Sequence, residues 1–520
     1  MTFAPHSGSR FSDRRNILII LGLTALFKFL VHLIVNATTA YGYFRDEFYY
    51  LACSDQLAWG YVDQPPLSIM MLKLSTLLFG ESLWAIRIFP ALAGAGVIFI
   101  TGLIVIKLGG RLFEVILASV AILIAPVLLA MNGFYSMNSF DHLFWIGVVY
   151  IMMLVTDKPR LGLWVLLGVA LGLGLMNKIS VLWLGAGIFM GLVLTPNRKL
   201  LLTKGPYLSA AIAFLIFLPY IIWQQYYGWP LIEFIENASA NKYVENSLPS
   251  FVLDVTMTMH PLNLLLWLSG LVYFIFNREG KKYRFISIIF ITTFVILAAN
   301  RTSKPEYLVP AFPMLLAGGA VLIGSWLKNR FVVVKTSLVV LFVVAGAITA
   351  PLVLPVLPVE DYILYAKALG LEPSTTEKKE LGPLPQFYAD MHGWENMAQE
   401  VSNVYESLPD HEKENAKFFG QNYGEAGAIG LYRRKYPLPP AISNHNNYWL
   451  WGPGKTSDDL VLIIMGSNME DNSEFFENVE QKGFVVSPYA MPYESNLPIF
   501  VGRNPKASLE AVWDDLKHYD

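Results

Sequence analysis

Arg45, Asp46 and Glu47 stand side by side in "YGYFRDEFYY", residues 41 to 50, directly after a long apolar run. A carboxylate in such a place can take a proton from a hydroxyl as a general base. It can equally do no chemistry and complement the positive end of a helix, and position alone leaves both readings open. Asp141, in "MNSFDHLFW", stands just inside a second apolar run. An acid at mid-depth of a bilayer costs roughly 3 kcal/mol, less near the interface, which makes it a functional candidate. The alternative is a helix cap supplied by Ser139 or Asp141. His142 beside it has no second histidine at metal-ligand spacing. Arg301 and Lys304, in "NRTSKPEYLVPAFP" with Glu306 and Tyr307, could hold a phosphate or merely snorkel to the membrane surface.

The elements that must position these residues follow from composition. Hydrophobic residues make up 54% of the 520 and charged residues 15%, with mean hydropathy +0.46, so the chain reads as a membrane protein. The single cysteine, Cys53, rules out an intramolecular disulfide, and with no basic stripe nucleic acid is excluded as a partner. About eleven spans are expected: 16–36, 85–106, 112–131, 139–156, 161–177, 179–195, 206–227, 261–277, 285–300, 306–326 and 332–357. The first has the length of a retained span rather than a signal peptide.

Lysine and arginine orient these spans. With the amino end inside, the inner segments carry Arg10, Arg14, Arg15, Lys107, Arg111, Lys158, Arg160, Arg198, Lys199, Lys204, Arg278, Lys281, Lys282, Arg284, Lys328, Arg330 and Lys335. Most of the acids before residue 360 sort the other way, from Asp46, Glu47, Asp55 and Asp63 to Asp141, Glu233, Glu236 and Glu306. Chemistry would therefore face outward, to the periplasm or outer surface of a bacterium, where its donor must already have crossed the membrane.

In the first outer loop, 37–84, Phe44, Phe48, Leu51 and Ala52 recur at helical spacing, predicting a helix along the membrane surface that Gly60 ends. "VDQPPLSIMMLKLSTLLFG" predicts a second, with Pro65 or Pro66 in its first turn and Asp63 as N-cap. The outer loop 228–260 suits a lid, its Glu233, Glu236, Lys242 and His260 being either ligand contacts or solvated surface. Residues 359–520, which from Glu360 hold 25 of the 40 acids and 13 of the 38 bases, read as a small extracytoplasmic α/β domain after a membrane domain of 1–358. "AKFFGQNYGEAGAIGLYRRKYPLP" reads as strand, turn and helix, "DDLVLIIMG" and "LPIFVGRN" as strands, and "SEFFENVEQKGF" as an amphipathic helix.

The ordered series "FRDEFYYLA", "GYVDQPPLSIMML", "LFGESLWAIRIFPALAG", "MNSFDHLFW", "LGLGLMNKISVLWL" and "KPEYLVPAFPMLLAGGA" covers about the first 325 residues. It resembles the polytopic glycosyltransferases of the C superfamily (GT-C), especially family 39 and its dolichyl-phosphate-mannose-protein mannosyltransferase-like bacterial members, and is similar to aminoarabinose-lipid A transferases. The resemblance implies a polytopic α-helical membrane fold with a soluble α/β tail. It implies inverting transfer of a sugar from a polyprenyl-phosphate donor to a lipid, glycan or protein acceptor at the outer face. It maps the catalytic carboxylate to Asp46, with Glu47 its neighbour, and a second acid to Asp141. Aminoarabinose transferases often have Lys-Pro-Pro where this chain has Gln64-Pro65-Pro66, a departure that removes a phosphate-binding cation and for which Arg45, Arg301 or Lys304 could compensate. Tyr61, Asp63, Gln64, His260, Glu306 and Tyr307 are the expected substrate contacts. A divalent ion bridging Asp46, Asp141 and the phosphate is left open by the spacing, and no other cofactor is implied. The expected arrangement gathers Asp46, Glu47, Asp141, Arg301 and Lys304 around one outward-opening cavity in the plasma membrane. A lipid transporter or flippase is the rival reading, weakened by the lack of an internal repeat.

Overall fold

The computed structural model describes residues 7–327, 331–457 and 459–520, with side chains from Arg14 onward. The side chain of Arg10, and residues Lys328, Arg330 and Asp458, fall outside that description. The chain divides into two compact units.

The first unit comprises the amino-terminal helix, Trp84–Ile221 and Glu245–Val356, and makes this an integral membrane protein. Every predicted span contains a helix, but not every helix has full spanning length. Six described helices are long and apolar enough to cross a bilayer, and two bent pairs, Val181–Val193 with Pro196–Leu202 and Leu248–Thr258 with Asn263–Phe276, could each count as one more. Leu112–Ile124, Leu161–Asn177 and Phe285–Ala299 are shorter. The shortening has identifiable causes. Pro126 lacks the N–H that a continuous helix over 112–131 would need, so the helix stops at Ile124 and a short turn of helix, Pro126–Ala130, follows. The last turn of that short helix leaves main-chain carbonyls free, and Lys28 Nζ donates to that of Leu128 at 3.0 Å while His32 Nε2 lies 3.0 Å from that of Leu129.

Burial ranks the helices by position. Residues Pro305–Leu327 are 89% buried and form the centre, whereas Val332–Leu352 is 11% buried and faces outward. Backbones touch at the centre: a Cβ on Gly319 would lie 1.9 Å from the Leu266 carbonyl oxygen, and one on Gly270 2.1 Å from that of Leu315. Small residues are the means by which helices approach this closely in lipid, where packing rather than water exclusion drives association.

The second unit comprises Thr39–Leu83, Ile222–Val244 and Leu357–Asp520. Its sheet has the order β2-β1-β3-β5-β4, with β1 Ala416–Gly420, β2 Ala441–Ser443, β3 Val461–Met465, β4 Phe476–Val485 and β5 Leu497–Pro505. β1 pairs in parallel with β2 and β3, while β5 runs antiparallel to β3 and β4. The expected helix over 473–484 is therefore corrected: only Met469–Phe475 is helical, and the rest is edge strand β4. Its charged residues Glu477, Glu480 and Lys482 are exposed on a strand paired along its length with β5, and Gly483 sits at a register shift.

The first outer loop contributes helices Arg45–Asp55 and Leu67–Phe79. The apolar stripe of the first packs on protein. Phe48 is wholly buried, in one cluster with Trp394, Val401, Phe418 and Ile463. Burying one phenylalanine is worth about 1.5–3 kcal/mol, so the apolar stripe that sequence assigned to lipid is covered by protein. Glycines make room for it: a Cβ on Gly424 would lie 2.7 Å from Arg45 Cγ, and one on Gly427 2.8 Å from the Phe48 carbonyl carbon. The helix ends at Asp55, capped by Gln56 rather than Gly60. Helix Leu67–Phe79 begins after Pro66 with no side-chain cap, so Asp63 does not cap it.

Candidate active site

The candidate residues fall into two groups, one in each unit.

In the second unit, helix Arg45–Asp55 opens with a reciprocal cap. The Phe44 N–H donates to Glu47 Oε2 at 2.8 Å and the Glu47 N–H to the Phe44 carbonyl at 2.8 Å, the Glu47 half of a capping box. Glu47 is fully buried there. Asp46, one residue earlier, points elsewhere. Its side chain is 27% exposed, and its Oδ1 accepts from the Tyr423 hydroxyl at 2.8 Å with Arg45 Nε 3.5 Å away. Burial pushes the Tyr423 phenol well above its ordinary range, so at neutral pH it stays a donor.

Arg45 has its charge largely matched. Its guanidinium donates to the Tyr493 hydroxyl at 2.6 Å and to Glu377 at 3.5 Å, and lies 3.8 Å from Asp390 and 5.8 Å from the Tyr423 ring centre. Asp63 accepts from the Tyr49 hydroxyl at 2.9 Å, and Asn447 Oδ1, 3.0 Å from the same hydroxyl, accepts from the Val62 N–H at 2.7 Å. Burial, the largest effect, lifts the Asp63 carboxyl to about 6 against the bond from Tyr49, with Asp46 raising it and Lys242 lowering it. Asp46, Asp63 and Lys242 thus share one electrostatic neighbourhood. Gln64 is buried with its Nε2 unpartnered among the described residues. Tyr61 is a core residue whose hydroxyl donates to the Cys53 carbonyl at 3.1 Å.

In the first unit, helix Met137–Asp157 is capped by Ser136, not by Ser139 or Asp141. Asp141 is buried one turn in. Its Oδ2 accepts from Ser180 at 2.7 Å, while its Oδ1 has no partner among the described residues, which suits it to a ligand or water. Lys178, at the turn between Leu161–Asn177 and Val181–Val193, donates to Asn138 Oδ1 at 2.5 Å and lies 4.8 Å from the Tyr307 ring centre. Tyr307 packs on Trp183 at 6.1 Å. Lys178 feels the charges of Asp141, Glu306 and Lys304. Asp141, Lys304, Glu306 and Tyr307 are therefore brought together, around a lysine not expected as their centre. Arg301 is exposed, and its carbonyl accepts from Asn246. His260 is buried at φ 73° in the break before Asn263–Phe276, its Nδ1 accepting from the Leu262 N–H at 3.2 Å.

Lys178, Tyr423, Tyr49 and Asn447 are the site residues that sequence reasoning did not promote. Only Lys178 left a signal, as a lysine between two apolar runs, where ionisable residues are functional by default.

The family profile of the dolichyl-phosphate-mannose-protein mannosyltransferases matches residues 63–223, a stretch that holds Asp63, Gln64, Asp141 and Lys178. The undecaprenyl phosphate-alpha-4-amino-4-deoxy-L-arabinose arabinosyl transferase 1 of Pseudomonas fluorescens is 23% identical over 286 residues, 52% of this chain and 50% of that protein. The chain thus spans about half the length of that relative. Crystal structures of ArnT from Cupriavidus metallidurans match over nearly the whole chain. The apo form has TM-score 0.60 at 13% identity, covering 94% of this chain and 98% of the other. The form bound to undecaprenyl phosphate has TM-score 0.55 at 14% identity, covering 93% and 97%. This chain has the fold of these ArnT structures and is similar in sequence to the arabinosyl transferase above.

Proposed function

We propose that the protein is an inverting glycosyltransferase that moves one sugar from a polyprenyl-phosphate donor to a lipid, glycan or protein acceptor at the outer face of a bacterial inner membrane. The observation that carries this reading is the contrast between two adjacent acids on an ArnT-like fold. Glu47 is consumed by the helix cap, while Asp46 stays partly exposed and is aimed by Tyr423 and Arg45. A base needs both access and orientation, and Asp46 has both.

In this mechanism Asp46 takes the proton of the acceptor hydroxyl as its oxygen attacks the anomeric carbon. The bond to the phosphate oxygen breaks in the same displacement, so the configuration inverts and no glycosyl-enzyme forms. Polyprenyl phosphate leaves with its charge met by cations, and within the first unit Lys178 and Lys304 have the chemistry for that task. Fixed charge at a leaving group is worth most in a water-poor site. Asp141 holds the Lys178 neighbourhood in place through Ser180.

The outward orientation rests on the distribution of lysine and arginine along the sequence, and the contacts within the membrane unit agree with two separate faces. Lys107 and Lys282, both from segments expected inside, meet at Asp157, and Lys335 approaches Glu114 at 4.0 Å. Residues expected outside meet one another instead, as Asn246 with Arg301 and Ser303. The test is reconstitution in nanodiscs with a labelled undecaprenyl-phosphate sugar and a membrane acceptor fraction. Release of undecaprenyl phosphate matched by labelled acceptor is expected. Movement of intact donor between leaflets of liposomes without cleavage would instead establish the flippase.

A further inference from the structure

We propose that His445, His518 and Asp520 form a zinc site in the second unit, separate from the carboxylate at Asp46. One ligand atom from each lies within 4.8 Å of the others. His445 Nε2 is 3.1 Å from Asp520 Oδ1 and His518 Nε2 is 3.1 Å from Asp520 Oδ2. Ligands bound at about 2.0–2.1 Å around a tetrahedral zinc stand roughly 3.3 Å apart, so each histidine already stands at a fitting distance from Asp520, and binding draws the three ligand atoms in from within 4.8 Å of one another. Two imidazoles with one carboxylate is a borderline donor set that suits zinc better than magnesium or calcium, and it leaves a fourth position for water.

The backbone holds these groups in place before any metal arrives. His445 and His518 form a parallel bridge: the Asn446 N–H donates to the His518 carbonyl at 2.8 Å and the His518 N–H to that of Asn444 at 3.0 Å. Asn446 takes φ 49° to turn the chain there, a backbone state uncommon outside glycine. The histidine rings stand 4.9 Å apart at 88°. His445 is buried, and its Nδ1 lacks a partner among the described residues. Lys242 Nζ, 3.9 Å from Asp520 Oδ1, is the competing cation that the metal must displace from that oxygen.

The His445 ring also packs 4.7 Å from that of Tyr423, whose hydroxyl orients Asp46. Zinc would stiffen the surface on which Tyr423 rests, a positioning role that the metal assignment does not need in order to stand.

The experiment uses full-length, tag-free protein in detergent, equilibrated with zinc, passed through a desalting column and assayed by mass spectrometry for metal per chain. Wild type should hold about one zinc, and cobalt substitution should give the visible absorption of a tetrahedral ion. His518→Ala, at an exposed ligand that the fold does not require, should lose affinity at least tenfold, as should Asp520→Asn, while His411→Ala on a distant exposed turn should not. Zinc should raise the melting temperature of wild type but not of His518→Ala. Wild type without zinc above the buffer background, or His518→Ala and Asp520→Asn binding like wild type, overturns the proposal. No donor or acceptor enters the assay, so failure of the transferase reading leaves this result unaffected.

Discussion

The two units hold their charges by opposite means. In the membrane unit the candidate charges are sparse and the close partners of Asp141 and Lys178 are neutral: Asp141 has Ser180, and Lys178 has Asn138 and the Tyr307 ring. In the second unit they are dense and offset one another, with Arg45 among Asp46, Glu377 and Asp390, and Asp520 between two histidines. An isolated charge in a low-dielectric setting is expensive unless something binds it. Lys178 and Asp141 feel each other's charge but hydrogen-bond to neutral groups, so they are less closely matched than Arg45. The lesson is that Lys178 should respond to a phosphate far more than Arg45 does, although sequence singled out Arg45.

That contrast can be broken at several places. Replacing Lys178 by Met keeps the stem and removes the charge. Transfer should fall about 10²–10³-fold, the usual cost of losing one group that stabilises leaving-group charge, and a steady-state assay checks it. A smaller loss than that of Arg45→Met would reverse the comparison. Tyr423→Phe deletes only the hydroxyl that reaches Asp46. About a tenfold loss is expected, in line with one hydrogen bond to a charged group, with the melting temperature little changed.

Asp63 supplies a pH test. Its carboxyl is raised to about 6 from an unfolded value near 3.9, so the folded state holds the proton more tightly. The stability it contributes is present below pH 4 and is lost as pH rises from about 4 through 6. Asp63→Asn keeps an acceptor for Tyr49 but cannot ionise, so its melting temperature relative to wild type should be higher at pH 8 than at pH 4. Equal differences at the two pH values would remove the buried-acid assignment. The smallest effect is expected at Glu47→Gln, because glutamine also closes a capping box. Transfer should stay within about threefold and stability within about 0.5 kcal/mol, against about 1 kcal/mol lost in Glu47→Ala.

Much of this was legible before any coordinates. Asp46 and Asp141 stood out because acids sorted to one side of the membrane, and the membrane architecture followed from apolar length. What escaped notice depends on partners distant in sequence. Glu47 reads as a catalytic neighbour because phenylalanine at 44 hides the cap, which usually announces itself with serine or threonine. The stripe through Phe48 looks lipid-facing until Gly424 and Gly427 are seen to receive it. Span lengths were overestimated at Pro126 because apolarity continues through a residue that hydrogen bonding cannot. The edge strand Phe476–Val485 carries a helix-like spacing of charges, and only its pairing with β5 decides otherwise.

The most direct measurement is single-turnover transfer by Asp46→Asn in nanodiscs with saturating polyprenyl-phosphate sugar. Asparagine keeps the oxygen that Tyr423 bonds, so the protein should fold and bind donor as wild type does while the transfer rate falls about 10²–10⁴-fold. A rate within a fewfold of wild type, with donor binding intact, would show that the proton goes elsewhere and that Asp46 is not the base.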